Sequence, residues 1–124
     1  MTAEGGLHLV KLCVGADSVD DLAAWQTHVA ARRRAAGEDA RPVHVTRMWP
    51  RRTEALLAGG SLYWVIKGVI LVRQTIAALE AVTDAEGVRR CAIVLEPGLV
   101  RTAPRPRKPL QGWRYLAGKA APPD

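Results

Sequence analysis

The fold turns on the stretch Leu57-Ala58-Gly59-Gly60-Ser61-Leu62-Tyr63-Trp64-Val65-Ile66-Lys67-Gly68-Val69-Ile70-Leu71-Val72. Two glycines permit a tight reversal between a short helix over 51–58 and a strand over Leu62–Ile66, dense in aromatic and β-branched residues. Gly68 marks a bend. Val69 to Val82 is readable two ways, because Val69–Val72 is strand-like and Ile76–Val82 has helix propensity. The residues beyond it favour one long strand. Asp84-Ala85-Glu86-Gly87 has the composition of a hairpin turn, and Val88–Leu95 reads as the returning strand, ended by Pro97. Long strands joined by tight turns, with helices segregated from them, point to an α+β domain.

The N-terminal third fits this frame. Leu7 to Val14 is an apolar run between glycines and reads as a buried strand. Asp17 and Ser18 offer an N-cap, with Asp21 in an imperfect capping box. Leu22, Trp25, Gln26 and Val29 have helical spacing, so a helix over 18–36 is expected, with Trp25 and Trp64 in the core. Arg32, Arg33 and Arg34 sit in its last turn, where the helix dipole favours cations, and Gly37 stops it. Val43 to Arg47 alternates like a strand, and Trp49-Pro50 turns the chain.

Beyond Gly98 the composition shifts. Pro104, Pro106, Pro109, Pro122 and Pro123 oppose regular structure, and no acidic residue appears before Asp124. The 124 residues suit a single domain over 1–124, with 98–124 a Pro/Arg-rich C-terminal segment. Gln111 to Leu116 is apolar enough to dock, and fraying is expected after Gly118. Apolar residues at 48% exclude a wholly disordered chain. Met1 to Gly6 has no signal-peptide character, and Leu62–Val72, interrupted by Lys67, is too short to span a bilayer. A cytoplasmic location is expected. Cys13 and Cys91 read as buried thiols within strands.

Signatures of catalysis are missing. His8, His28 and His44 lack zinc-ligand spacing, Gly59-Gly60-Ser61 is not a phosphate loop, and no nucleophile elbow occurs. No cofactor is expected. The distinctive feature is basic residues interleaved with aromatics in a chain of net charge +6, where fourteen of eighteen Lys+Arg residues are Arg. One cluster is Arg47-Met48-Trp49-Pro50-Arg51-Arg52. The other runs through Arg105, Arg107, Lys108, Gln111, Trp113, Arg114 and Tyr115. Arginine forks grip phosphate oxygens, aromatic faces stack on unpaired bases and glutamine reads a base edge. A single-stranded nucleic acid would use all three.

Four segments carry a family resemblance: His8–Gly15, Val43–Pro50, Gly60–Gly68 and Gln111–Leu116. With them the chain resembles an alphaproteobacterial family known as domain-of-unknown-function family 1489, across nearly its whole length. Leu110 stands where a phenylalanine would be more typical of the pattern. This resemblance implies no catalytic residue. At the level of element order the chain is also similar to the PUA-like group, which includes the ASCH, EVE and YTH domains. That likeness implies a small, partly closed, mostly antiparallel β-barrel with two packed helices, and recognition of RNA or a modified base in an aromatic-lined cleft.

The expected function is therefore non-catalytic recognition of RNA or a modified base. Arg47, Arg51 and Arg52 would contact phosphates, Trp49, Tyr63 or Trp113 would stack, and Lys67, Arg105, Arg107, Lys108, Gln111 and Arg114 would extend the surface. One alternative is a small enzyme on a nucleotide or other anionic metabolite, with His44, Arg47, Tyr63 and Lys67 around a pocket. Another is a protein-interaction module using Pro104–Pro109 in extended form.

Overall fold

The computed structural model describes residues 6–124. The N-terminal stretch read as lacking a signal sequence lies almost wholly outside them. The elements are β1 (Leu7–Leu12), α1 (Val19–Ala35), β2 (Val43–Thr46), α2 (Thr53–Leu57), β3 (Ser61–Ile66), β4 (Val69–Thr83), β5 (Arg89–Leu95), β6 (Val100–Pro106) and β7 (Trp113–Ala117), then a single 3-10 turn (Gly118–Ala120). The chain is an α+β protein with a seven-stranded, mostly antiparallel sheet.

The β3–β4 connection is Lys67-Gly68, with φ of 51° and 80°. Two successive left-handed residues make the two-residue turn whose twist suits a hairpin. The segment with two readings is a single strand of fifteen residues, β4. Its turn into β5 forms where the sequence places it. Asp84 Oδ1 accepts from the amides of Glu86 and Val88, each at 2.9 Å, while Gly87 takes φ 81°.

β4 organises the sheet because it has two sets of partners. Its first part pairs with β3 and β6, and its second with β5. Register breaks between Ile70 and Val72 and between Ile76 and Ala78 bend it. The order is β2-β5-β4-β3-β1-β7, with β6 also on β4. Among the described strands only β1 and β3 pair in parallel, as the long crossover through α1, β2 and α2 allows. The hydrogen-bonded path does not return on itself, so the sheet is open, and among the described residues β2 and β7 share no ladder.

The main core nevertheless joins distant parts of this path. Trp64 and Leu62 of β3, Leu9 of β1, Cys91 and Ile93 of β5 and Trp113 of β7 meet in one cluster. The sheet therefore coils around its own apolar face. Tyr63 and Val65 point to the opposite face, where Val10, Ile70 and Leu116 form a second cluster under Leu110 and Ala121. Every residue of β3 is consequently buried, which explains its apolar and aromatic run Leu62–Ile66. Full burial of one such side chain contributes about 1.5–3 kcal/mol.

The C-terminal segment differs from its proline-based reading. β6 forms despite Pro104 and Pro106 because it needs few ladder donors, and register breaks are where strand prolines are tolerated. The residues expected to fray make specific contacts: the Ala103 amide donates to Pro123 O at 2.7 Å, and Arg73 forms a bidentate pair with Asp124 at 2.7 Å on each arm.

α1 begins as expected, with the Ser18 hydroxyl accepting from Asp21 N at 3.0 Å. Its contact with the sheet is thinner than its spacing suggests. Only Val19 and Leu22 are buried, and Trp25 is 62% exposed, contrary to its expected core position. Gln26, the polar member of that stripe, makes the tether instead. It exchanges two amide hydrogen bonds with Gln74 of β4, at 2.9 and 2.8 Å. Gln74 is wholly buried and fully used, since its Oε1 also accepts from Trp64 Nε1 and its Nε2 donates to Glu96 O.

Candidate nucleic-acid interface

The two arginine–aromatic clusters of the sequence meet at the seam between the sheet's free edges. Trp113 Nε1 donates to Met48 O at 2.8 Å. The Tyr115 hydroxyl accepts from the backbone amides of Arg51 and Arg52, at 2.8 and 3.1 Å. The two rings meet edge-to-face with centroids 4.8 Å apart. Side chains of β7 thus hold the loop that leaves β2. Pinned by its backbone, the loop turns Arg47, Met48, Trp49, Arg51 and Arg52 outward.

Arg47 and Trp49 line a cleft of about 440 Å³ with Arg89 and Arg90, from the start of β5. Arg90 is committed to Asp84 at 2.7 Å, which holds the Asp84 carboxyl below its ordinary range. Among the described residues, Arg47, Arg51, Arg52 and Arg89 form no ion pair. Several guanidinium groups beside a partly exposed indole attract a polyanion and offer its bases a stacking partner.

The second predicted cluster divides. Along β7 successive side chains alternate between faces, so Arg114 lies opposite Trp113 and Tyr115. With Arg107, Lys108 and Gln111 it lines a separate cleft of about 640 Å³. Arg114 Nη1 braces this loop through Gln111 O and Trp113 O, at 2.7 and 2.9 Å. Arg105 Nη1 donates to Ala120 O, and Lys67 sits exposed on the β3–β4 turn.

Two residues expected to stack on a base are placed otherwise. Tyr63 is wholly buried on the second core face, edge-on to His8 at 5.2 Å, and cannot reach a solvent-borne base. Trp113 is buried too, and its work is to anchor the loop. Burial pushes the Tyr63 hydroxyl pKa up. Nor do the four residues of the enzyme alternative gather around one pocket. His44 packs edge-on against Trp64, at 5.3 Å, while Tyr63 faces the other side of β3.

Sequence reasoning alone misses Arg89 and Arg90, and places Tyr115 in the second cluster without a role of its own. An adjacent arginine pair opening a strand just after a turn is the available signal for the first two. Nothing local shows the bridging role of Tyr115, because its hydrogen-bond partners lie 64 and 63 residues away.

The molecule is thus an α+β protein in which an open, coiled, mostly antiparallel sheet carries an arginine-lined seam. The chain belongs to the family described as protein of unknown function DUF1489, which matches residues 9–124. No curated protein and no solved structure gives a match. No helix among the described residues is long and apolar enough to cross a membrane.

Proposed function

We propose that this protein binds single-stranded RNA in the cytoplasm, without catalysis, through the seam cleft. The observation behind this reading is the grouping of Arg47, Arg89 and Arg90 around Trp49, beside Arg51 and Arg52 on the same loop. Phosphates would lie along the unpaired guanidinium groups, and one base would stack on Trp49. Arg107, Lys108, Gln111 and Arg114 form a second basic surface for a longer strand. Tyr63 and Trp113 have no direct part. The wider likeness to PUA-like barrels is supported by the coiling of one sheet around its core and by the bridging of its edges by Trp113 and Tyr115.

The test uses the double variant Arg47→Ala/Arg89→Ala and, separately, Trp49→Ala. The double variant should weaken single-stranded RNA binding and flatten its salt dependence. Trp49→Ala should weaken binding at unchanged salt slope, since base–aromatic stacking is worth about 1–3 kcal/mol. Unchanged affinity in both variants would refute the assignment.

A further inference from the structure

A second site lies away from the seam, beneath α1. Only Val19 and Leu22 of the seventeen residues of α1 are buried, and beyond them the Gln26–Gln74 amide pair tethers the helix to β4. A cavity of about 140 Å³ is left between helix and sheet, with Leu22, Trp25, Val29, Val43, Trp64 and Leu95 among its walls. The side chains around it are apolar except for Gln26 and His44. The Gln26 amide is engaged with Gln74, and His44 Nε2 has no surface open to the cavity. Such walls favour hydrocarbon over a polar ligand. An apolar cavity of about 150 Å³ stays dry and binds benzene, so this one holds an apolar group of about six carbons.

The cavity continues into a cleft of about 630 Å³ on one side of the helix, with which it shares Gln26, Ala30, Ala40 and Pro42. That cleft adds apolar Val19, Ala23 and Leu99 and five charged side chains. Two of the five neutralise each other, since Arg41 pairs with Asp39 at 2.6 Å. Arg101 meets Asp20 only at 3.5 Å, with both groups well exposed. Among the described residues Arg34, the fifth, forms no ion pair. It stands one helical turn beyond Ala30, about 6 Å along the axis from the place where cavity and cleft join. A narrow apolar chamber with a cationic mouth takes a molecule that is apolar at one end and anionic at the other. We propose that α1 covers a binding site for a medium-chain aliphatic carboxylate. The tail lies in the cavity among Leu22, Trp25 and Trp64, and the carboxylate is gripped in the cleft by Arg34 and Arg101, whose guanidinium forks match its two oxygens.

This site does not depend on the seam being a nucleic-acid interface. The test follows the indole N–H resonances of the full chain while butanoate, hexanoate, octanoate or 1-octanol is added. Octanoate should shift Trp25 and Trp64 saturably and leave Trp49, at the seam, in place. Each further methylene should tighten binding about fourfold until the cavity is full. Arg34→Gln/Arg101→Gln, at exposed positions, should weaken octanoate binding about fivefold, the upper end for an exposed ion pair, and leave 1-octanol binding as it was. Ala30→Leu adds bulk where cavity and cleft join and keeps good helix propensity. It should abolish binding of octanoate and 1-octanol alike, with the far-ultraviolet circular dichroism of the parent. No saturable shift at Trp25 and Trp64, an affinity that ignores chain length, or octanoate binding unchanged in both variants would overturn the proposal.

Discussion

Replacing Tyr115 by phenylalanine removes one oxygen and keeps the ring, and the structure predicts a disproportionate effect. That oxygen accepts two backbone hydrogen bonds, from Arg51 and Arg52, and both bridge the seam between β7 and the loop after β2. A typical intramolecular hydrogen bond contributes about 0.5–1.5 kcal/mol net. Two such bonds give about 1–3 kcal/mol. The loop is exposed, so water can meet the freed amides, and about 1–2 kcal/mol is the better expectation. Unfolding entropy near 2.1 cal/mol/K per residue converts each kcal/mol into about 4 °C for a chain of 124 residues. Calorimetry of Tyr115→Phe should therefore show melting lower by about 4–8 °C. Amide exchange should accelerate most at Arg51 and Arg52, through local opening of the loop, and at Ile93, deep in the core, only as far as the loss of global stability requires. The edge-to-face packing on Trp113 survives the substitution, so the loss is that of the two hydrogen bonds alone. A melting temperature within about 1 °C of the parent, with unaltered exchange at both arginines, would refute the bridging role.

Other contacts yield further expectations. Gly60→Ala would drive a Cβ against the backbone oxygens of Leu56 and Leu7, which no rotamer change relieves; destabilisation of about 3 kcal/mol, read by urea titration, is expected. Gln74→Leu leaves the Trp64 N–H and the Gln26 amide without their partner and should cost about 2–4 kcal/mol by the same assay. Burial, reinforced by the charge of Lys11, lowers the His44 pKa to about 4 from an ordinary 6.5. Its contribution is therefore complete above pH 6.5 and is lost as the pH falls toward 4, because only the unfolded chain takes up the proton in that window. The parent should lose about 1–3 kcal/mol there, and His44→Leu should lack that part of the profile.

Much of this architecture is legible in local patterning. The Asp84–Gly87 turn resolves the reading of β4, since a turn at that point requires a strand running into it. Helix α1 announces its ends through Ser18 and the Arg32–Arg34 run. The partners of its middle are not legible, because Gln26 is satisfied by Gln74, 48 residues away, while Trp25 turns outward. β6 is hidden for a different reason. Proline density argues against a strand on average, but an edge position with broken register removes the penalty. At the candidate site, the loop 47–52 and its aromatic anchors can be picked out as motifs. Their meeting cannot, because it depends on the coiling of the sheet. Tyr63 illustrates the limit: an aromatic in a strand looks the same in sequence whether it faces a cleft or a second core.

The seam is best tested as a nucleic-acid interface by titrating the intact chain with a short single-stranded RNA and with its duplex, each at two salt concentrations. Four arginines without ion pairs among the described residues, Arg47, Arg51, Arg52 and Arg89, should release about three counterions from a single strand, a slope near −3 in log affinity against log salt. Single strands should bind more tightly than duplex because Trp49 needs an unstacked base. Equal affinity for both forms, or binding that ignores salt, would contradict the assignment of the seam to single-stranded RNA.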